Sequence, residues 1–173
     1  GFKITITNRG GFKHPQTGEN RTGLHYLNEN ERILYLEDNT DEFVRKEDMD
    51  AQIPELVSFL KSFLNSENTA VDLILSHYWD GAKVGVLLNE QLPERVTHIW
   101  TPHSLGTVKK GNMPESSWEN LRVDERIAIE KTLVPKMDGI ASTSSVIGSA
   151  LKNEYNYDKP LFLPPCVDID RFH

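Results

Sequence analysis

Four polar clusters in this chain could form a ligand site, and each follows an apolar run. His77-Tyr78-Trp79-Asp80-Gly81 follows residues 71–75. Thr101-Pro102-His103-Ser104-Leu105-Gly106 follows residues 96–100. Ser142-Thr143-Ser144-Ser145 follows residues 138–141, and Pro164-Pro165-Cys166-Val167-Asp168 follows Leu161-Phe162-Leu163. In open α/β sheets ligands bind beyond the carboxyl ends of the strands, so these clusters are candidate site residues. Each also has a plainer reading. Asp80 accepting backbone N–H groups, with Gly81 giving room, would be a helix N-cap. His103 could bond the next turn, and Lys109-Lys110 could be a solvated pair. Arg126 and Glu130 stand at i, i+4, the spacing of a surface ion pair of little energetic consequence. No His/Cys/Asp spacing suggests a metal. A catalytic thiol at Cys166 is disfavoured, because no histidine neighbours it in sequence.

The elements that must position these clusters follow from periodicity. Residues 71–75 and 96–100 are unbroken apolar runs, as parallel strands buried on both faces should be. Between them residues 82–91 carry Val84, Leu87 and Leu88 at helical spacing, which makes a βαβ unit. Upstream, residues 2–7 alternate as a strand. Residues 8–23 read as a loop. Tyr26-Leu27 pairs loosely with residues 32–37 across a turn at residues 28–31. Residues 38–48 are charged and carry no apolar period. Ile53, Leu56, Val57, Leu60 and Leu64 predict an amphipathic helix over 49–64, with Pro54 tolerated in its first turn. Downstream come a loop over 109–117, a helix over 118–136, a strand over 138–141, a helix over 146–155 and a last strand over 161–163. Alternating strands and helices predict an α/β fold with a doubly wound, Rossmann-like parallel sheet.

Composition bounds the function. The chain has 173 residues, so one domain over 1–173 is expected. Its net charge of -7 argues against a nucleic-acid binder, which would need a basic face. No apolar run approaches the roughly 20 residues of a membrane span. The single cysteine excludes an internal disulfide and fits a reducing compartment, so a cytoplasmic location is expected.

The clusters are specific in their order. HYWDGA, then PHSLGTVKK, then Arg126 and Glu130 on a helix, then DGIASTSS, then PPCVDIDRF, resemble the N-terminal half of retaining family-4 glycosyltransferases with the GT-B fold. The likeness is to sucrose-phosphate synthase and sucrose synthase. It spans roughly residues 70–172, and residues 2–50 more loosely. These motifs in register are far more specific than any one.

The resemblance implies the acceptor-side half of a hexosyltransferase. A sugar nucleotide, UDP-glucose by the likeness, would be the donor, bound by a second GT-B domain of the same polypeptide. The acceptor would be a sugar or sugar phosphate such as fructose 6-phosphate. The leaving diphosphate would serve as base, with no bound cofactor or metal. His103 would hydrogen-bond sugar and Asp80 an acceptor hydroxyl. Lys109 and Arg126 would hold the acceptor's phosphate, Arg126 through the planar fork that binds two oxygens at once. Lys46 resembles another phosphate-side lysine, and Arg9, at the end of the first strand, would face the crevice. His77, Gly81, Ser104, Gly106, Glu130 and Ser142 would line or support the site.

Two departures from the family stand out. Its Pro-Pro-Gly is Pro-Pro-Cys here, so Cys166 falls where a glycine could need positive φ. Its first strand, glycine-rich loop and first helix are not found, and residues 2–7 match its second strand. In a 3-2-1-4-5-6 sheet that strand belongs between residues 2–7 and 71–75. Some 30 upstream residues are therefore expected in the natural protein. Residues 165–173 resemble the interdomain hinge, and this chain alone is expected to fold poorly and transfer no sugar. A different class also fits: a non-catalytic sugar-binding or regulatory domain with the same fold. A transferase for inositol phosphate or a lipid-linked sugar is the alternative among enzymes.

Overall fold

The computed structural model describes residues 1–166, in two compact units, the first Gly1–Ala70 and the second beginning at Val71. The hinge resemblance over 167–173 lies outside the described residues.

In the first unit β1 (Ile4–Arg9), β2 (Gly23–Tyr26) and β3 (Glu31–Leu36) form one sheet in the order β1-β3-β2. β1 runs parallel to β3, and β2 and β3 form the expected hairpin, with Tyr26 opposite Arg32. Helix α1 (Ile53–Ser66) buries Ile53, Leu56, Val57 and Leu60, the predicted apolar stripe. It starts four residues later than the periodicity suggests, because residues 46–51 form a 3-10 turn.

The second unit has a four-stranded parallel sheet, ordered β4 (Leu73–His77), β5 (Thr97–Thr101), β6 (Gly139–Ser142) and β7 (Leu161–Phe162). Helices α2 (Tyr78–Asn89), α3 (Gly106–Gly111), α4 (Val123–Leu133) and α5 (Ser145–Glu154) supply the crossovers. Trp100, Leu105, Ile140 and Leu151 are fully buried in one core with Ala82, Val86, Leu133 and Ile147. Burying each large side chain stabilises the unit by roughly 1.5–3 kcal/mol.

The expected Rossmann-like succession is thus present in the second unit. The strands of the first unit form a separate sheet. Among the described residues β1 and β4 each have one hydrogen-bonded neighbour. Both also expose apolar side chains: Ile6 is 43% and Leu75 is 62% accessible. Unpaired apolar strand edges promote association with other chains.

Three expected boundaries shift. α2 begins at Tyr78, immediately after β4, so Asp80 lies inside its first turn and His77 is the N-cap. The N-cap reading of Asp80 is therefore corrected: its charge sits at the positive end of the helix dipole instead. Gly81 is not needed for space, since a Cβ there would meet nothing within 4 Å. The loop expected over 109–117 begins as α3. The helix expected over 118–136 starts only at Val123, because Arg122 takes a left-handed φ of 44°.

Where α2 lies against the sheet, Gly85 admits a buried histidine. A Cβ at Gly85 would stand 2.5 Å from His98 Cε1 and 2.7 Å from its Nε2. His98 is fully buried, and its Nε2 bonds Ser76 Oγ at 2.7 Å. Burial lowers its pKa to about 4, with Asp138 opposing and Arg95 adding slightly. The unfolded chain then binds the extra proton between pH 6.5 and about 4. Stability from neutral His98 is full above pH 6.5 and is lost as pH falls to about 4. At 1.36 kcal/mol per unit this is a loss of about 3 kcal/mol. Urea melts at pH 7.5 and 4.5 should show it, and His98→Gln should flatten it. An equally steep fall in the variant would remove His98 from the account.

Candidate active site at the carboxyl edge of the parallel sheet

β4, β5 and β6 are parallel, with His77 opposite Thr101 and Trp100 opposite Ile140. Their carboxyl ends therefore lie along one edge. Asp80 follows β4 by three residues, His103 follows β5 by two, and Ser142 ends β6. The predicted clusters thus share one edge of the sheet.

At that edge the backbone is unusual. Tyr78 has φ 58° and His103 has φ 54°. The Ser104 N–H donates to the Pro102 carbonyl at 2.6 Å, which makes His103 the middle residue of a tight three-residue turn. A non-glycine residue held there costs on the order of 1–3 kcal/mol and persists only when its surroundings enforce it. Such strain concentrates at functional sites.

The turn presents His103 to His77. Nδ1 of His77 and Nε2 of His103 are 2.7 Å apart, and the rings stack with centroids 5.0 Å apart. The Tyr78 ring lies 5.0 Å from His103 on a tilt. One nitrogen of the pair must be an acceptor, so at least one ring is neutral. Burial, then the neighbouring His77, lower the His103 pKa from its ordinary value. A neutral His103 suits hydrogen bonding to a hydroxyl.

Behind the turn is a buried polar network. Glu130 is fully buried. It accepts from the Gly106 N–H at 2.8 Å, from Arg126 Nε at 2.7 Å and from the Tyr155 hydroxyl at 2.5 Å. Arg126 Nη2 donates to Ser104 O at 2.7 Å and to Ser104 Oγ at 2.9 Å. Burial, then the Glu130 charge, push the Tyr155 pKa well up, so the phenol stays protonated and donates. Arg126 and Glu130 are therefore not a surface pair: their side chains are 10% and 0% accessible. The expected phosphate-binding Arg126 is spent largely on Ser104 and Glu130, and its Nη1 makes no hydrogen bond among the described residues.

The lysines divide. Lys110 pairs with Asp124 at 2.5 Å and lies 4.3 Å from the centre of the Trp118 ring. Lys109, half-buried on α3, makes no ion pair among the described residues. Ser142 is buried, and its hydroxyl donates to the Ser144 carbonyl at 2.7 Å, so it shapes the turn into α5. Arg9 and Lys46 belong to the first unit. Arg9 is committed there to Asp38 and the Glu42 carbonyl, and stacks over Phe12 at 4.6 Å. Lys46 opens the 3-10 turn. Cys166 is exposed and is not among the residues with positive φ, so the missing glycine imposes no backbone strain there. Among the described residues no three His, Cys, Asp or Glu side chains gather to hold a metal ion, and no helix is long and apolar enough to cross a membrane.

Sequence reasoning missed Tyr155 and His98. Tyr155 reads as the end of the helix expected over 146–155, and its partner Glu130 lies 25 residues away. His98 sits inside an apolar run, and a polar residue there was the available signal.

This architecture is an α/β unit with a four-stranded parallel sheet and its polar clusters along the carboxyl edge. No family model matches the chain. A solved structure of sucrose-phosphate synthase from Thermosynechococcus elongatus matches it with a TM-score of 0.80 at 20% identity, over 100% of this chain and 40% of that one. The chain is also similar to mannosylfructose-phosphate synthase of Agrobacterium fabrum, at 27% identity over 84% of this chain and 34% of the relative. It is 29% identical to D-inositol 3-phosphate glycosyltransferase of Corynebacterium glutamicum, over 75% of this chain and 30% of that protein. The chain thus spans about a third of the length of these curated relatives. The fold and the resemblance drawn from the strand-end motifs are borne out.

Proposed function

We propose that this chain is the acceptor-side domain of a retaining hexosyltransferase. It transfers a hexose from a sugar nucleotide, UDP-glucose on the motif resemblance, to a phosphorylated sugar or polyol. The single observation that carries this reading is the strained His103 turn at the strand edge, with the half-buried Lys109 six residues further along the same motif. A neutral histidine supplies a hydrogen bond to a hydroxyl, and an unpaired ammonium attracts an anion. The names of the relatives support it: each contains a phosphorylated sugar or inositol phosphate.

In the proposed mechanism a second domain of the same polypeptide binds the donor. Asp80, in the first turn of α2, accepts from an acceptor hydroxyl, and His103 bonds a sugar hydroxyl in its neutral form. Lys109 and Nη1 of Arg126 hold the acceptor's phosphate. His77 fixes the His103 ring. The departing diphosphate takes the proton, so no side-chain base is assigned. In this proposal the protein works in the cytoplasm.

The test is a screen of nucleotide sugars against sugar and sugar-phosphate acceptors with the full-length protein. NMR would read the anomeric configuration of the first product. Transfer with retention to a phosphorylated acceptor is expected. Inversion, or binding of sugars without turnover of any nucleotide sugar, would refute the proposal. The second outcome is that of a non-catalytic sugar-binding domain.

A further inference from the structure

The strained turn at His103 has no glycine to relieve it, so something must hold it. A fully buried carboxylate, Glu130 on α4, reaches the backbone that follows the turn. Its Oε2 accepts from the Gly106 N–H at 2.8 Å and from the Tyr155 hydroxyl at 2.5 Å, while its Oε1 accepts from Arg126 Nε at 2.7 Å. Arg126 then grips Ser104 twice, at 2.7 Å and 2.9 Å. Tyr155 accepts from the Thr107 N–H at 3.4 Å. The residues on both sides of Leu105, which is itself fully buried, are thus tied to one carboxylate and one phenol. Gly106 is the residue that permits this: a Cβ there would stand 3.2 Å from Glu130 Oε2 and 2.6 Å from Ile127 Cγ1.

We infer that Glu130 and Tyr155 are positioning residues: with Arg126 as strut, they clamp residues 104–107 and so hold the imidazole of His103 at the acceptor. This rests on the proposed function and adds to it two residues that touch neither substrate. Glu130 accepts three hydrogen bonds, all from groups of this unit, and is fully buried, so it is turned to the turn and not to a ligand. A buried network whose members brace one another specifies one geometry, and one lost member loosens the rest.

The test uses the full-length protein, Tyr155→Phe and Glu130→Gln. Phenylalanine keeps the ring that packs in the core and removes the hydroxyl alone. Glutamine keeps volume and one oxygen acceptor but removes the charge. Two readouts are taken: the titration of the His103 imidazole by NMR, and kcat and KM for donor and acceptor separately. In both variants His103 is expected to titrate closer to an ordinary histidine, because the loosened turn admits water. The acceptor's kcat/KM should fall about 10- to 100-fold, the range for losing one hydrogen bond to a charged group, with the donor KM unchanged within about twofold. An unaltered His103 titration, or losses equal for donor and acceptor, would overturn the inference. So would unfolding of both variants, since the network would then hold the fold and not the turn. If the wild-type protein transfers no sugar, the proposed function fails, yet the imidazole titration still decides the clamp.

Discussion

Lys109→Ala in the full-length protein is expected to weaken a phosphorylated acceptor roughly 10- to 100-fold and to leave the nucleotide sugar nearly untouched. Hydrogen bonds to charged groups contribute about 1.5–3 kcal/mol, and each 1.4 kcal/mol is about tenfold in affinity. The neighbouring lysine is the control. Lys110 is already paired with Asp124 and lies over Trp118, so Lys110→Ala should leave acceptor affinity within a few-fold. Arg126→Ala should lower acceptor affinity by a similar 10- to 100-fold, through the phosphate and through the released Ser104 together. Separate titrations of donor and acceptor by calorimetry decide it. Equal losses for both ligands, or none, would remove the phosphate from this site.

The second large effect concerns a backbone position. Gly106→Ala would place a methyl 2.6 Å from Ile127 Cγ1 and 3.4 Å from the Ile127 backbone nitrogen. Cγ1 is the branch of Ile127 next to its backbone, so relief takes a new Ile127 rotamer or a shift of the helix that carries Arg126 and Glu130. Such overpacking costs typically 1–3 kcal/mol. For a chain of this size each kcal/mol lowers the melting temperature by roughly 2–4 °C. The functional loss should exceed the stability loss. The displaced turn carries His103, and a misplacement of about 1 Å can cost on the order of 100-fold in rate. A variant with a lowered melting temperature and unchanged kcat would show that the His103 turn is not part of the chemistry.

The chemistry-bearing clusters were legible because buried parallel strands read as unbroken apolar runs, and each ends where polarity begins. That rule located Asp80, His103 and Ser142 on one edge of the sheet. The rule could not say that Tyr78 begins α2, because left-handed φ at a tyrosine has no local sequence signal. Nor could it say that Arg126 is buried. An i, i+4 pair has the same spacing on a wet surface and against a loop, and only Gly106, 20 residues upstream and close enough to accept no side chain, decides between them. α4 itself shows the limit of periodicity. Its inward positions include a glutamate, so the pattern of a buried face was broken by the residue that matters most. In the first unit Arg9 looked like a crevice cation. Asp38, 29 residues away with its side chain inaccessible, takes it instead.

The most direct test of the account is the ratio of kcat/KM for a phosphorylated acceptor to that for the same acceptor without phosphate, measured in the full-length protein with one nucleotide-sugar donor at saturation. Two charged contacts, from Lys109 and Arg126, predict a ratio of at least about 100, falling toward about 10 in Lys109→Ala. A ratio near one in the wild-type protein would contradict the assignment of this edge as a phosphorylated-acceptor site.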